Sequence, residues 1–380
     1  MPRPPGPRSP KAPGSKPPAR RAHLSPKQDQ GERAPRAPSM PAFHRQRRQP
    51  MRPAAIDTPA EPAPPPENPW PFEEPPATCW VAAVGFEEQL LEELRRKGVH
   101  HLVQFGRLIM SSERAQPAAW ALAIWNAPLL LPAASVKTAA DALRAIQRNW
   151  ALLPAFHHRR ASLISGHLPP VKAAPLAFPE QPPSSHLGGW TLLSPELILA
   201  SPTVSSPFPN GEPRFVEDKE GPPSRAYLKL WEGLTRIGEH PQPGQRCLDL
   251  GASPGGWTWA IARLGASVEA VDKAPLAPDV AAMPGVSWRQ DSAFALDPEK
   301  EEAVDWLFSD VICYPGRLLR LVERWIAAGK ARRIFCSIKF QGGTDHDLAT
   351  QFAAIPHARV FHSAHNKHEL TFAWLPPAHS

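Results

Sequence analysis

The stretch Arg246-Cys-Leu-Asp-Leu-Gly-Ala-Ser-Pro-Gly-Gly-Trp257 constrains the fold more than any other part of the chain. Residues 246–250 have strand character and contain an acid just before a glycine-rich turn, and a helix-compatible segment, 257–264, follows at once. An α/β sheet builds a nucleotide-type crevice this way. The glycines let backbone approach a ligand, and the next helix offers unpaired N–H groups there. The pattern is not that of a dinucleotide site: the spacing G-x-G-x-x-G is absent, and Pro254 removes one N–H donor that a pyrophosphate would use. Asp249 instead sets negative charge beside the ligand, which suits a cation. S-adenosylmethionine carries both a sulfonium and an α-ammonium group. It is therefore the cofactor expected against Asp249, Gly251, Ser253, Pro254, Gly255, Gly256 and Trp257; a tight turn that holds no ligand is the alternative.

The downstream residues supply a second half for such a site. Ser267-Val-Glu-Ala-Val-Asp272 alternates as a strand and ends in an acid about 20 residues past the glycines, where open α/β folds hold ribose hydroxyls. Val286–Asp291 ends in another acid, expected near the adenine, and Asp305–Asp310 in a further one. A lone strand-end aspartate is usually a cap or turn residue. Three at successive strand ends favour the cofactor reading.

Strands near 246–250, 267–272, 286–290, 305–310, 333–339, 358–364 and 369–374 alternate with helices, except between the last two. The spacing predicts a doubly wound α/β sheet over residues 206–376, ending in an antiparallel hairpin. Ahead of it, 77–205 reads as a smaller α+β domain. Thr78–Val84 is expected as a strand, Glu87–Lys97 as a helix, Leu102–Ser111 as a strand and Val136–Trp150 as a helix. Residues 1–76 are rich in Pro, Arg, Ala and Ser and predict a disordered arm.

Two features separate the possible reactions. After Asp310 the chain reads Val311-Ile-Cys-Tyr-Pro315, which lacks the Asn/Asp-Pro-Pro-aromatic motif of methyl transfer to nitrogen. Cys313 lacks a preceding proline and reads as a small buried residue rather than a nucleophile. The strand Arg333-Ile-Phe-Cys-Ser-Ile-Lys339, by contrast, ends in a lysine on apolar residues. Desolvation and a nearby cation would lower the pKa of a lysine so placed, making it a credible general base for a hydroxyl.

Lys229 in Ser224-Arg-Ala-Tyr-Leu-Lys-Leu230, then Asp310, Lys339, and Glu369 in His368-Glu-Leu-Thr-Phe372 resemble in order and placement the Lys-Asp-Lys-Glu tetrad of the FtsJ-like (RrmJ-like) RNA 2′-O-ribose methyltransferases. The strings Ser206-Pro-Phe-Pro-Asn-Gly211, Gly-Ala-x-Pro-Gly-Gly-Trp-Thr at 251–258 and Val84-Gly-Phe-Glu-Glu88 are similar to the branch that modifies a cytidine of 23S rRNA. The resemblance covers residues 80–375 and is strongest in the last 170. It implies a Rossmann-like S-adenosylmethionine-dependent methyltransferase with a smaller N-terminal ferredoxin-like or THUMP-like domain. It also implies RNA as partner, 23S rRNA or a precursor of it. In that reading Lys339 is the base, Lys229 a second cation, Glu369 orients the lysines and ribose, and Asp310 anchors the lysine network. Two rivals stay open: methyl transfer to a small molecule or protein on the same fold, and a catalytically idle RNA-binding assembly factor.

Charge refines the partner. The formal net charge is +7, but residues 1–52 hold 13 Lys/Arg against 2 acids, about +11, and leave the rest near −4. Contact with RNA then depends on local patches, of which Arg144, Arg148, Arg159 and Arg160 form one candidate. Cysteines 79, 247, 313 and 336 have neither C-x-x-C nor metal spacing, and the histidines lack co-ligands, so no metal site is expected. The front end has no apolar signal region. The apolar stretch Ala118–Val136 is broken by Asn126, Pro128 and Pro132, so core segments are expected and no membrane span. A cytoplasmic protein with reduced cysteines is the resulting expectation.

Overall fold

The computed structural model describes residues 69–171 and 173–377. The arm predicted over 1–76 falls mostly outside the described residues, but its last part corrects the boundary. Trp70 is buried in one cluster with Cys79, Val81, Phe105 and Trp125, so the packed chain starts earlier than the polar composition suggested.

The predicted smaller domain contains two four-stranded sheets. The first is built from β1 (Thr78–Ala82), α1 (Glu87–Arg96), β2 (Val103–Phe105), β3 (Leu108–Ser111) and β4 (Ala121–Trp125), in the strand order β2-β3-β1-β4. The strand predicted over Leu102–Ser111 is a hairpin instead. Gly106, at φ 58°, turns the chain so that Phe105 pairs with Leu108. Central β1 is buried on both faces, as its unbroken apolar run requires. Cys79 and Val81 share a cluster with Leu193 and Leu199 of the second sheet, while Trp80 and Ala82 pack with Leu90 and Leu94 of α1.

The second sheet comprises β5 (Leu129–Pro132), β6 (Trp150–Leu152), β7 (Gly188–Ser194) and β8 (Leu197–Ser201), ordered β5-β8-β7-β6, with α2 (Val136–Ile146) and α3 (His158–Gly166) between β5 and β7 in sequence. Here the helix predicted over Val136–Trp150 ends at Ile146. Gln147 is fully extended, and Trp150 turns back so that its indole N–H donates to the Leu143 and Gln147 carbonyls at 2.9 and 3.0 Å. Burying that ring outweighs continuing the helix. The apolar stretch 118–136 is divided between β4 and β5, and no helix among the described residues is long and apolar enough to cross a membrane.

The rest of the chain runs α4 (Tyr227–Ile237), β9 (Arg246–Leu250), α5 (Gly256–Ala262), β10 (Ser267–Asp272), α6 (Pro278–Ala281), β11 (Val286–Gln290) and β12 (Val304–Ser309). It continues with α7 (Pro315–Ala328), β13 (Ala331–Lys339), α8 (His346–Ala354), β14 (Ala358–Phe361) and β15 (Glu369–Trp374). The seven strands are ordered β11-β10-β9-β12-β13-β15-β14. Strands β9 to β13 are parallel to their sheet neighbours among themselves, and β15 is antiparallel to both β13 and β14. This is the predicted doubly wound sheet with an antiparallel end. Apolar side chains of α4 and α5 cover one face through Leu230, Leu234 and Ile261, and those of α7 and α8 cover the other through Leu318, Val322 and Phe352. From β9 the chain first builds outward through β10 and β11, then returns to add β12 on the other side. The crevice of such a sheet opens where that order reverses, at the carboxyl ends of β9 and β12.

Candidate active site

At the reversal point, Asp249 near the end of β9, residues 251–254 of the turn and the first residues of α5 form one wall of a cleft of about 390 Å³. The turn is shaped by close approach. Gly251 has φ 78°, and a β-carbon there would lie 2.8 Å from the Val311 side chain on the loop after β12. Ser253, Pro254, Gly256 and Trp257 also line the cleft. Gly255 does not: its missing β-carbon would face Val280 and Leu276 of the α6 region, so with φ 108° it sets the turn without touching the cleft.

Three strand-end acids have different fates. Asp249 is buried and accepts a 2.6 Å hydrogen bond from the Thr258 hydroxyl. Burial pushes its carboxyl up to about 7, the Thr258 bond opposes that rise, and the negative charges of Asp310 and Asp272 add to it. Among the described residues it has no cationic partner, so it is an acid placed to receive one. Asp272 also lines the cleft and accepts the N–H groups of Ser253 and Ala274 at 3.0 and 2.9 Å, which pins the turn to the end of β10. Its oxygens retain acceptor capacity. Asp291 stays outside. It is exposed beyond β11, accepts only the Ser292 N–H among the described residues, and is not part of the cleft wall.

The tetrad residues meet at the far end of the same cleft. Lys229 lies in the first turn of α4, Asp310 just after β12, Lys339 at the end of β13 and Glu369 at the start of β15. Parallel pairing brings the ends of β12 and β13 side by side, and antiparallel register sets Lys339 opposite Glu369. The Lys229 ammonium lies 3.0 and 3.1 Å from the two Asp310 oxygens and 3.0 Å from Glu369 Oε1. Lys339 Nζ lies 3.0 Å from Asp310 Oδ1 and also donates to the Asp310 carbonyl. Two cations and two anions therefore balance in a half-buried cluster with Asp310 at its centre, and Asp310 and Lys339 face the cleft.

Burial alone would raise the Asp310 carboxyl, but Lys229, Lys339 and the Ser337 hydroxyl outweigh it and hold it below the usual carboxylate range. For Lys229 burial acts downward, yet Asp310 and Glu369 more than compensate and keep its pKa above the ordinary lysine value. Asp310 bridges both lysines, the anchoring position expected of it from the resemblance. The sequence reading missed Ser224, Val311 and Ile312 on the cleft wall. Ser224 stands in the string that precedes Lys229, but nothing in its local pattern marks it; only the 2.6 Å approach to the absent β-carbon of Gly256 reveals its place. Cys313 is buried, and burial raises its thiol pKa, in keeping with a core residue.

Residues 222–341 match the family model of FtsJ-like methyltransferases. Ribosomal RNA large subunit methyltransferase M from Halorhodospira halophila is 42% identical over 135 residues, covering 35% of this chain and 39% of that protein. The protein of the same name from Alkalilimnicola ehrlichii is 32% identical over 214 residues, covering 52% and 58%. The chain thus spans between 39% and 58% of the length of these relatives. Among solved structures, an rRNA methylase from Streptococcus thermophilus overlays with a TM-score of 0.30 at 13% identity, covering 39% of this chain and 96% of that one, a likeness too loose to carry weight. The resemblance read from the tetrad and the glycine turn stands.

Proposed function

We propose that this chain methylates the 2′-hydroxyl of a ribose in ribosomal RNA, with S-adenosylmethionine as methyl donor. A cytidine of 23S rRNA or of its precursor is the target that the likeness to large-subunit methyltransferases favours. The observation that carries the reading is the Lys229–Asp310–Lys339–Glu369 cluster, whose Asp310 and Lys339 line the cleft at the sheet's reversal point.

The cofactor fits the residues present. Asp249, a buried carboxylate without a cation among the described residues, would hold the α-ammonium group. Asp272 would take ribose hydroxyls, and the close-packed turn 251–256 with Trp257 would line the remainder. When bound, the cofactor supplies a sulfonium-linked methyl group, an electrophile that needs an oxygen nucleophile.

A ribose hydroxyl is a poor nucleophile at neutral pH, so the chain's own part is to take its proton. Lys339 Nζ is the acceptor in this reading. Asp310 contacts both lysines, so Lys229 keeps its carboxylate paired while Lys339 turns to the ribose. Glu369 holds Lys229 from the other side. The fixed ammonium of Lys229 then faces the negative charge that develops on the oxygen. Because rRNA is the substrate, the reaction belongs in the cytoplasm.

The test is a map of 2′-O-methyl groups in 23S rRNA from cells with and without this protein, joined to transfer of a labelled methyl group in vitro. One ribose that loses its methyl group in the deficient cells and regains it with purified protein supports the reading. Label transferred only to a small molecule or protein refutes it.

A further inference from the structure

The loop that joins Asp310 to α7 carries the most exposed large apolar side chain and the most exposed aromatic ring among the described residues. Ile312 is 77% and Tyr314 68% exposed. They alternate with buried Cys313 and Pro315, so the two side chains project to solvent while the residues between and after them anchor the loop. The loop is fixed in place. Pro315 opens α7 and restricts Tyr314 to extended backbone, observed at φ −67° and ψ 141°. The Tyr314 carbonyl accepts the N–H groups of Arg317 and Leu318 at 2.9 and 3.3 Å. The chain has only two tyrosines, and the other, Tyr227, is buried with its hydroxyl bonded to the Asp218 carbonyl. Among the described residues nothing comparably occupies Tyr314.

The setting is chemically specific. Ile312 lines the cleft that Asp310 and Lys339 also line. On the first turns of α7, Arg317 and Arg320 are exposed and have no carboxylate partner among the described residues; the Arg317 guanidinium lies 3.8 Å over the Phe294 ring. An exposed aromatic ring on a fixed backbone, an apolar neighbour that shares the cleft with Lys339, and two unneutralised cations on the following helix match an unstacked nucleotide: a flat apolar face joined to a phosphate.

We infer that Tyr314 with Ile312 forms the platform on which a base of the RNA substrate stacks, next to the ribose presented to Lys339, with Arg317 and Arg320 facing the adjoining phosphates. This rests on the RNA reading above and adds to it the element that holds the nucleotide. The ring supplies a surface and its hydroxyl is dispensable, so the platform tolerates any base and positions without choosing sequence.

The experiment compares binding of a ten-residue oligocytidylate with that of a ribose-phosphate decamer without bases, by fluorescence anisotropy on the full chain. Tyr314→Ala should weaken oligocytidylate binding about tenfold, the loss of a single stacked base. It should leave affinity for the abasic decamer and for S-adenosylmethionine at the parent level. Tyr314→Trp should retain the parent's preference for the RNA with bases, which a merely structural tyrosine would not. Equal losses on both RNAs, or none on either, overturn the platform. Failure of the parent to bind either RNA or to methylate rRNA overturns the RNA reading itself. Methylation of rRNA with the same KM in parent and Tyr314→Ala overturns the platform alone.

Discussion

At the scale of the residue, the proposed reaction divides the tetrad into a proton acceptor and the groups that hold it, and the two roles should respond differently to substitution. Lys339→Ala should lower methyl transfer by about 10²–10⁴-fold, with S-adenosylmethionine affinity close to that of the parent, as read by single-turnover kinetics and calorimetry. Lys339→Arg sharpens this. Arginine keeps a cation beside Asp310 but does not release its proton, so it should be nearly as inactive as alanine. Activity within a few-fold of the parent in the arginine variant would remove Lys339 as base. Asp249 governs the other end of the cleft through pH. Its carboxyl in the folded chain lies at about 7, above the ordinary 3.8, so the native state keeps a proton that the unfolded chain has lost. That contribution to stability is present in full below the unfolded value and disappears as pH rises through 7. Cofactor binding has the opposite sign, because a cationic ligand selects the ionised carboxylate. Affinity measured by calorimetry should rise between pH 6 and 8, with proton release on binding below 7. The rise should be reduced in Asp249→Asn, and an equal rise in that variant would take Asp249 out of the site.

At the scale of the element, the cluster exists because α4 lies flush on β13 and delivers Lys229 to it. A β-carbon on Gly233, in the middle of α4, would lie 2.2 Å from the Phe335 ring on β13. Two effects of Gly233→Ala oppose each other: alanine favours the helix by about 1 kcal/mol, and overpacking costs about 1–3 kcal/mol. The packing effect should win. The urea midpoint should fall, and methyl transfer should fall with it as α4 lifts. A raised midpoint would show that α4 has room above the sheet. What the sequence made legible follows the same division between local and distant causes. The strand over 246–250, its acid, the glycine turn and the strand ending in Lys339 were readable because alternation and turn chemistry act over a few residues. The insertion of β15 between β13 and β14 was not, since it depends on pairing between distant segments. The same limit explains Trp150, whose indole bonds back to Leu143 make a strand of what the local pattern read as helix. Asp291 ends its strand as expected, one residue past the register partner of Asp272, but is not part of the cleft wall. The tetrad was legible as four residues in order with Asp310 anchoring the lysines; the distances came only when the strand ends met.

At the scale of the whole molecule, the proposed RNA substrate would need cations for its backbone. The first sheet is not a detachable source. The His362 N–H donates to the Ala119 carbonyl, Glu93 accepts the N–H groups of Ala119 and Trp120, and the Trp120 ring stacks on His362 at 4.9 Å. Cutting the chain there would expose a core shared with the catalytic sheet. The predicted arginine patch is also smaller than its sequence implied. Arg144 pairs with Asp141 and donates to the His167 carbonyl, and Arg160 donates to the Ala133 carbonyl, leaving Arg148 and Arg159 free of ion pairs among the described residues. The 13 Lys/Arg of residues 1–52 are therefore the larger reserve of positive charge, while the remaining chain is near −4. Deleting residues 1–68 should weaken rRNA binding at low salt and reduce the salt dependence of binding. Each lost phosphate contact should lower the slope of log affinity against log salt by about 0.7 to 0.9. The methylated nucleotide should stay the same, because the cleft lining and the tetrad proposed to hold the ribose all lie within residues 224–369. Primer-extension mapping of the product, alongside affinities measured over a salt series, separates the two roles. A shift of the methyl group to another nucleotide on deletion would show that the N-terminal residues choose the target, and an unchanged salt slope would show that they do not touch the RNA.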